Sequence, residues 1–292
     1  MRQRPETKTQ STISFSAASV VINANFWQAI AKNCYESFTK GYDRPAHLCG
    51  DALDGAVQLV YDIPTIQMEY VRHEEPVLNT GWWRGVGVTH NTFVIESFID
   101  ELAAASKQDP VAFRRALLGK APRARAVLDL AAKEAGWGKR LPPGHGRGVA
   151  LMYSGWDTYL AQVAEMEVSE SGEVKLHRVV CAVDCGTMVN PDIVKAQIES
   201  GVVYGISGAL WGEITLENGR VKQSNFNNYR VLRMNETPPI EVHLVRSSEA
   251  PGGIGEPGTA ATAPALANAI FAATGKRIRK LPLQSAIMNR NS

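Results

Sequence analysis

Three consecutive stretches, Gly148 to Tyr153, Tyr159 to Val168 and Glu173 to Val183, read as strands, the first a short apolar run and the third alternating apolar and polar positions with a period of two. The turn Ser171-Gly172 leads into the third. Helical spacing dominates on either side. From Asn91, Phe93, Phe98 and Leu102 keep a 3.6-residue period, with Glu96, Asp100 and Glu101 placed near the start of that helix. Asp109-Pro110 supplies a cap followed by proline at the first helical position, so a second helix runs to about Leu118. A third, Arg123 to Ala135, stops at Gly136.

Beyond the strands, Asn190 caps and Pro191 begins a helix reaching about Trp211, and Asn218-Gly219 turns a hairpin joining ITLE to RVKQ. A strand from Ile240 to Val245 and a helix from Thr259 to Thr274, closed by Gly275, complete the pattern. Strands come in hairpins and helices are interspersed without a βαβ rhythm. The expected class is therefore α+β, with mixed or antiparallel hairpin sheets and packed helices. The opening residues punctuate less clearly: a helix over Asn25 to Phe38, a loop-like Gly41 to Pro64, a strand over Thr65 to Arg72, then the break EEPVLNTG. Residues 1–80 accordingly read as the tail of an incomplete upstream lobe, and 81–292 as a carboxyl-terminal domain.

Composition narrows the classes of function. The formal charge is +2 over 292 residues, and the longest basic stretch is Lys276 to Lys280, so nothing calls for a polyanionic partner such as nucleic acid. The longest apolar run, Ala260 to Ala273, falls short of the roughly 20 residues a spanning helix needs. The amino end lacks the apolar stretch and cleavage site of a secretory signal. Four cysteines are too few for a disulfide scaffold, and they are not clustered as an iron–sulfur cluster demands. His177, Cys181 and Cys185 share a face of the predicted strand but are strung out along it. Packed thiols are thus favoured over a metal there.

Candidate chemistry gathers around three glycine clusters. In PGGIGEPG, between a strand and the last long helix, Gly253, Gly255 and Gly258 spell a dinucleotide fingerprint. That reading fails, because a βαβ unit with an acid about 20 residues onward is required and the corresponding stretch is the basic RIRKLPL. Glu256 becomes the residue of interest: glycines permit close approach of a ligand, and Pro257 stiffens the loop that presents the carboxylate as a general base. The alternative is a turn whose glutamate merely complements the helix dipole. In GWWRGVG, Arg84 precedes Gly85, either holding an anionic ligand or snorkelling from Trp82 and Trp83. In the third cluster, Gln197 lies two turns into its helix, and Gly201, Gly205 and Gly208 allow close packing of another helix or of a cofactor.

Together GWWRGVG, FVIESFIDELA, DPVAFRRALL, VVCAVDCGTMVNPDIVKAQIESG, QSNFNNYRVLRMNE and GGIGEPGTAATAPALANAIFAATGKRIRKLP resemble the carboxyl-terminal part of the molybdopterin-binding large subunit of the xanthine dehydrogenase/aldehyde oxidase family, most of all its isoquinoline 1-oxidoreductase beta-subunit type. The resemblance implies a molybdenum hydroxylase that uses a molybdopterin cytosine dinucleotide cofactor to oxidise an aldehyde or N-heteroaromatic carbon with water-derived oxygen. It implies Glu256 as the base and Arg84, Gly85, Gln197, Gly253 and Gly255 as cofactor-side residues. It further implies a separate small [2Fe–2S] subunit as electron acceptor, an upstream large-subunit portion, and a cytoplasmic location unless an export signal precedes that portion. Two departures stand out: Val86 replaces an aromatic after the Arg-Gly pair, and the upstream cofactor loops of relatives have no counterpart. A noncatalytic assembly module or inactive remnant is the competing expectation.

Overall fold

The computed structural model describes residues 13–16, 53–64, 66–69 and 82–288. The expected helix over Asn25 to Phe38 lies outside them, as do Cys34 and Cys49. Of the expected strand Thr65 to Arg72, β2 (Ile66–Glu69) is described, paired in parallel with β1 (Ile13–Ser16).

The frame is a four-stranded sheet in the order β3-β4-β5-β8, formed by β3 (His145–Ser154), β4 (Thr158–Val168), β5 (Val174–Asp184) and β8 (Ile240–Leu244). The first three strands form antiparallel hairpins, whereas β8 lies parallel to β5 with Val179 opposite Ile240. This parallel pair makes the sheet mixed, as the expected class allows. The return from β5 to β8 passes through the helix Pro191–Trp211 and the small hairpin β6 (Leu216–Glu217) and β7 (Arg220–Val221).

Helices cover both faces of the sheet, which is why its strands are buried almost without interruption. One face meets α1 (Val86–Ala105), α2 (Pro110–Ala116) and α3 (Pro122–Glu134) through Ile99, Leu118, Val127, Leu128, Val149, Leu151 and Val163. The other meets α4 (Pro191–Trp211), α5 (Pro257–Ala260), α6 (Thr262–Thr274) and α7 (Leu283–Met288) through Met152, Leu160, Met166, Ile198, Ile206 and Leu266. Gly148 lets α6 sit directly on β3: a Cβ there would lie 2.1 Å from the Ala269 amide nitrogen.

Two boundaries and one register differ from expectation for physical reasons. The first helix begins at Val86 rather than Asn91, so Glu96 and Asp100 are interior and buried. The last long helix is two pieces broken at Ala261, because Pro264 has no N–H to offer the Ala260 carbonyl. Third, a bulge in β5 separates Leu176, opposite Met166, from Arg178, opposite Glu165, and leaves His177 without a partner in register. The capped ends agree closely: the Asp109 carboxylate accepts from the amides of Val111 and Ala112, and Asn190 does the same for Asp192 and Ile193.

Candidate functional site

The loop that follows β8 is stitched to the ends of two other strands. The Gly252 amide donates to the Cys185 carbonyl at 2.8 Å, the Gly253 amide to that of Trp156 at 2.7 Å, and the Thr158 hydroxyl to that of Gly253 at 2.7 Å. These bonds set the loop beyond the carboxyl ends of the parallel pair β5 and β8, the end of an open sheet where ligand crevices form. Glu256 stands at its exit, at the N-cap of α5, with Pro257 as the first helical residue. Its carbonyl accepts from the Thr259 amide at 2.9 Å, but its side chain caps nothing. Among the described residues the half-buried carboxylate has no hydrogen-bond or ion-pair partner. The side chain thus makes no capping bond, and at the N-cap its charge still faces the positive end of the helix dipole.

Arg84 ties this loop to α4. Its Nε donates to the Gly255 carbonyl at 2.7 Å and its Nη2 to the same oxygen. Nη2 also reaches the Gln197 Oε1 at 3.1 Å, and Nη1 the Ser200 hydroxyl at 3.1 Å. Arg84, Gln197 and Gly255, far apart in sequence, are thus one hydrogen-bonded knot adjoining Glu256. The guanidinium donates to the chain itself and lies 5.9 Å from the Tyr204 ring centre. Gln197 Oε1 accepts from Arg84, and among the described residues its amide nitrogen donates to no partner.

Gly85 shapes the turn before α1: φ is +93°, and a Cβ would collide with the Thr89 hydroxyl, which donates to the Arg84 carbonyl. Val86 shares the left-handed region at φ +43°, a conformation that costs a β-branched residue about 1–3 kcal/mol. Gly253 backs onto Trp156, with both backbone groups bonded within the chain. Gly255 opens on free space, since a Cβ there would have nothing within 4 Å.

The glycine face of α4 is covered by protein. Gly201 abuts Gly258, Gly205 abuts Thr262, and Gly208 abuts the Trp83 ring, so helix packing accounts for this stripe and leaves no room for a cofactor against it. Ser200 was not singled out from sequence, although its spacing of three from Gln197 places both on one helical flank. Trp156 and Thr158, which anchor the loop across nearly 100 residues, carried no local signal. Cys181 is fully buried and burial drives its thiol far above the usual range, so it is inert packing.

Two family profiles described as molybdopterin cofactor-binding domain match residues 37–118 and 128–238. The chain is 35% identical over 241 residues to the beta subunit of isoquinoline 1-oxidoreductase from Brevundimonas diminuta, covering 82% of this chain and 30% of that protein. It is 35% identical to a nicotinate dehydrogenase subunit of Pseudomonas putida over 76% of this chain and 20% of that one. It therefore spans less than a third of the length of these relatives. The fold matches quinoline 2-oxidoreductase from Pseudomonas putida 86 with a TM-score of 0.68 at 12% identity, over 91% of this chain and 57% of that one. It also matches the aldehyde oxidoreductase of Desulfovibrio desulfuricans with a TM-score of 0.63 at 15% identity, over 81% and 44%.

Proposed function

Because the chain belongs to the molybdopterin-binding large-subunit family of xanthine dehydrogenase and aldehyde oxidase type, we propose that it forms part of a molybdenum hydroxylase acting on an aldehyde or N-heteroaromatic carbon. The observation that carries this reading is Glu256: a half-buried carboxylate without a partner among the described residues, held by a proline-stiffened loop beside the Arg84-Gln197-Gly255 knot.

The residues suit one wall of a molybdenum–pterin site. A Cβ on Gly255 would meet nothing within 4 Å, and among the described residues the Gln197 amide nitrogen is an unspent donor and Glu256 an unspent acceptor. When bound, the cofactor supplies a two-electron oxidant and activates a water-derived nucleophile. The chain's part is to position and to move a proton. Arg84 fixes Gln197 and the Gly255 carbonyl, Gly85 sets the turn that carries Arg84, and Gly253 ties the loop to Trp156. The Glu256 carboxylate oxygens then take the proton that leaves the nucleophile.

The proposal extends to a cytosine dinucleotide form of the cofactor, a separate [2Fe–2S] subunit, a cytoplasmic location, and an upstream polypeptide that completes the enclosure. It keeps residues 81–292 as the cofactor-binding domain and 1–80 as the connection to the upstream lobe. Among the described residues no helix is long and apolar enough to cross a membrane.

In the assembled enzyme, Glu256→Gln is expected to lower turnover by about 10²-fold or more at unchanged molybdenum content. Unchanged turnover excludes the assigned base. A noncatalytic assembly module is the second reading. It predicts no molybdenum by elemental analysis, either alone or with an upstream partner.

A further inference from the structure

At the opposite end of the sheet, three adjacent strands bring two imidazoles and a carboxylate together. His145 opens β3, Glu167 lies opposite it on β4, and His177 is the bulged residue of β5. A ring nitrogen of each histidine and an oxygen of Glu167 all lie within 4.8 Å of one another. Thr158, near the candidate active site, and Glu167 are nine residues apart on β4, or about 30 Å. This cluster is therefore independent of the Glu256 site.

Three observations argue for a bound ion rather than a chance grouping. First, the bulge re-aims His177. Cys181 and Val179 point into the core beneath α4, whereas His177 stands with Glu167 and His145 on the face that α3 covers further along the strands. Second, the Nε2 atoms of both rings converge on Glu167 Oε2 without bonding to it, His177 at 3.4 Å and His145 at 3.9 Å. Ligands about 2.0–2.2 Å from a tetrahedral centre stand roughly 3.3–3.6 Å apart, so the first spacing already suits a shared ion and the second needs a small ring rotation. Third, His177 Nε2 is shielded from solvent and among the described residues has no hydrogen-bond partner, an arrangement that costs free energy until something fills it. The two rings stack with centroids 4.9 Å apart and planes 14° from parallel. Glu167 is bound to no lysine or arginine among the described residues, so its charge is available.

We propose that His145, Glu167 and His177 bind a divalent transition-metal ion of the zinc class, clamping β3, β4 and β5 together at this rim. Two nitrogen donors disfavour calcium and magnesium, and three protein ligands leave at least one position for water. The partial exposure of Glu167 gives that water access.

The test is titration of the full chain, purified without a histidine tag and treated with chelator, using Co2+ as a visible probe. One equivalent should bind with d–d absorption and be displaced by Zn2+. His145→Gln and His177→Gln should each weaken affinity at least ~10-fold, while Cys185→Ser should leave it unchanged. Failure of the wild-type chain to bind one equivalent overturns the proposal, as does full affinity in the double histidine variant. An intense sulfur-to-cobalt charge-transfer band also overturns it by assigning the ion to cysteine. Should a histidine variant misfold, the wild-type stoichiometry and Glu167→Gln decide the question.

Discussion

Arg123 and Asp184 illustrate how single residues hold the candidate site in place. Asp184 ends β5, and the guanidinium of Arg123 grips it through Nε at 2.8 Å and Nη2 at 2.7 Å. Burial by itself would raise this carboxyl, but the Arg123 fork and the Gly186 amide outweigh it and hold it below the ordinary aspartate range. A depressed folded value means that the pair contributes stability above the unfolded pKa of about 3.9 and loses it as pH falls through the folded value. Asp184→Asn should therefore flatten the acid limb below about pH 4 in urea-unfolding free energy measured against pH. An unaltered acid limb would show that other carboxylates set it. The next residue, Cys185, accepts from Gly252, so the same substitution loosens the loop that carries Glu256.

Contact between two helices sets where that loop enters α5. Gly201 on α4 lies so close to Gly258 that a Cβ would fall 2.9 Å from its α-carbon and 3.0 Å from the Thr259 nitrogen. Thr259 also donates its hydroxyl to the Gly201 carbonyl at 3.1 Å. Neither neighbour is a flexible side-chain end. Gly201→Ala should consequently cost about 1–3 kcal/mol by overpacking, seen as a lower denaturation midpoint. Because backbone must yield at the turn after Glu256, turnover of the assembled enzyme should fall along with stability. A stability loss with intact turnover would mean that α4 moves and the turn does not.

Across the whole molecule, a buried polar network joins elements that the sheet alone does not connect. Arg114 on α2 is fully buried and donates to Glu96 Oε2 at 2.8 Å and Asp100 Oδ1 at 3.4 Å on α1. Glu96 also accepts from the Tyr61 hydroxyl and the Leu151 amide, and burial raises the Tyr61 pKa well above its usual value. Asp100 accepts from Arg277 beyond α6, and Asn268 on α6 donates to the Val149 carbonyl. Removing one partner leaves an uncompensated charge: Arg114→Met should destabilise the fold by about 3–5 kcal/mol. The double change Glu96→Leu with Arg114→Met should cost less than the sum of the two singles, as a double-mutant cycle by chemical denaturation would measure. Additive losses would show that the pair is not coupled.

Local chemistry sufficed for much of this protein. The caps at Asp109 and Asn190, the stop at Gly136, the Asn218-Gly219 hairpin and the strand alternation depend on neighbours within a few residues, so the sequence by itself determined most elements and the α+β class. The glycine loop likewise singled out Glu256 as a candidate, although Gly/Pro composition by itself suits an ordinary turn equally well. Only the tertiary structure decided which residues meet. It drew Glu96 and Asp100 into the core, covered the α4 glycines with protein, and turned the Arg84 guanidinium onto Gly255 and Gln197. It also moved His177 by a bulge from the cysteine face to His145 and Glu167. Each outcome depends on contacts between residues distant in the chain, and a one-dimensional pattern carries no record of which distant backbone will close against it.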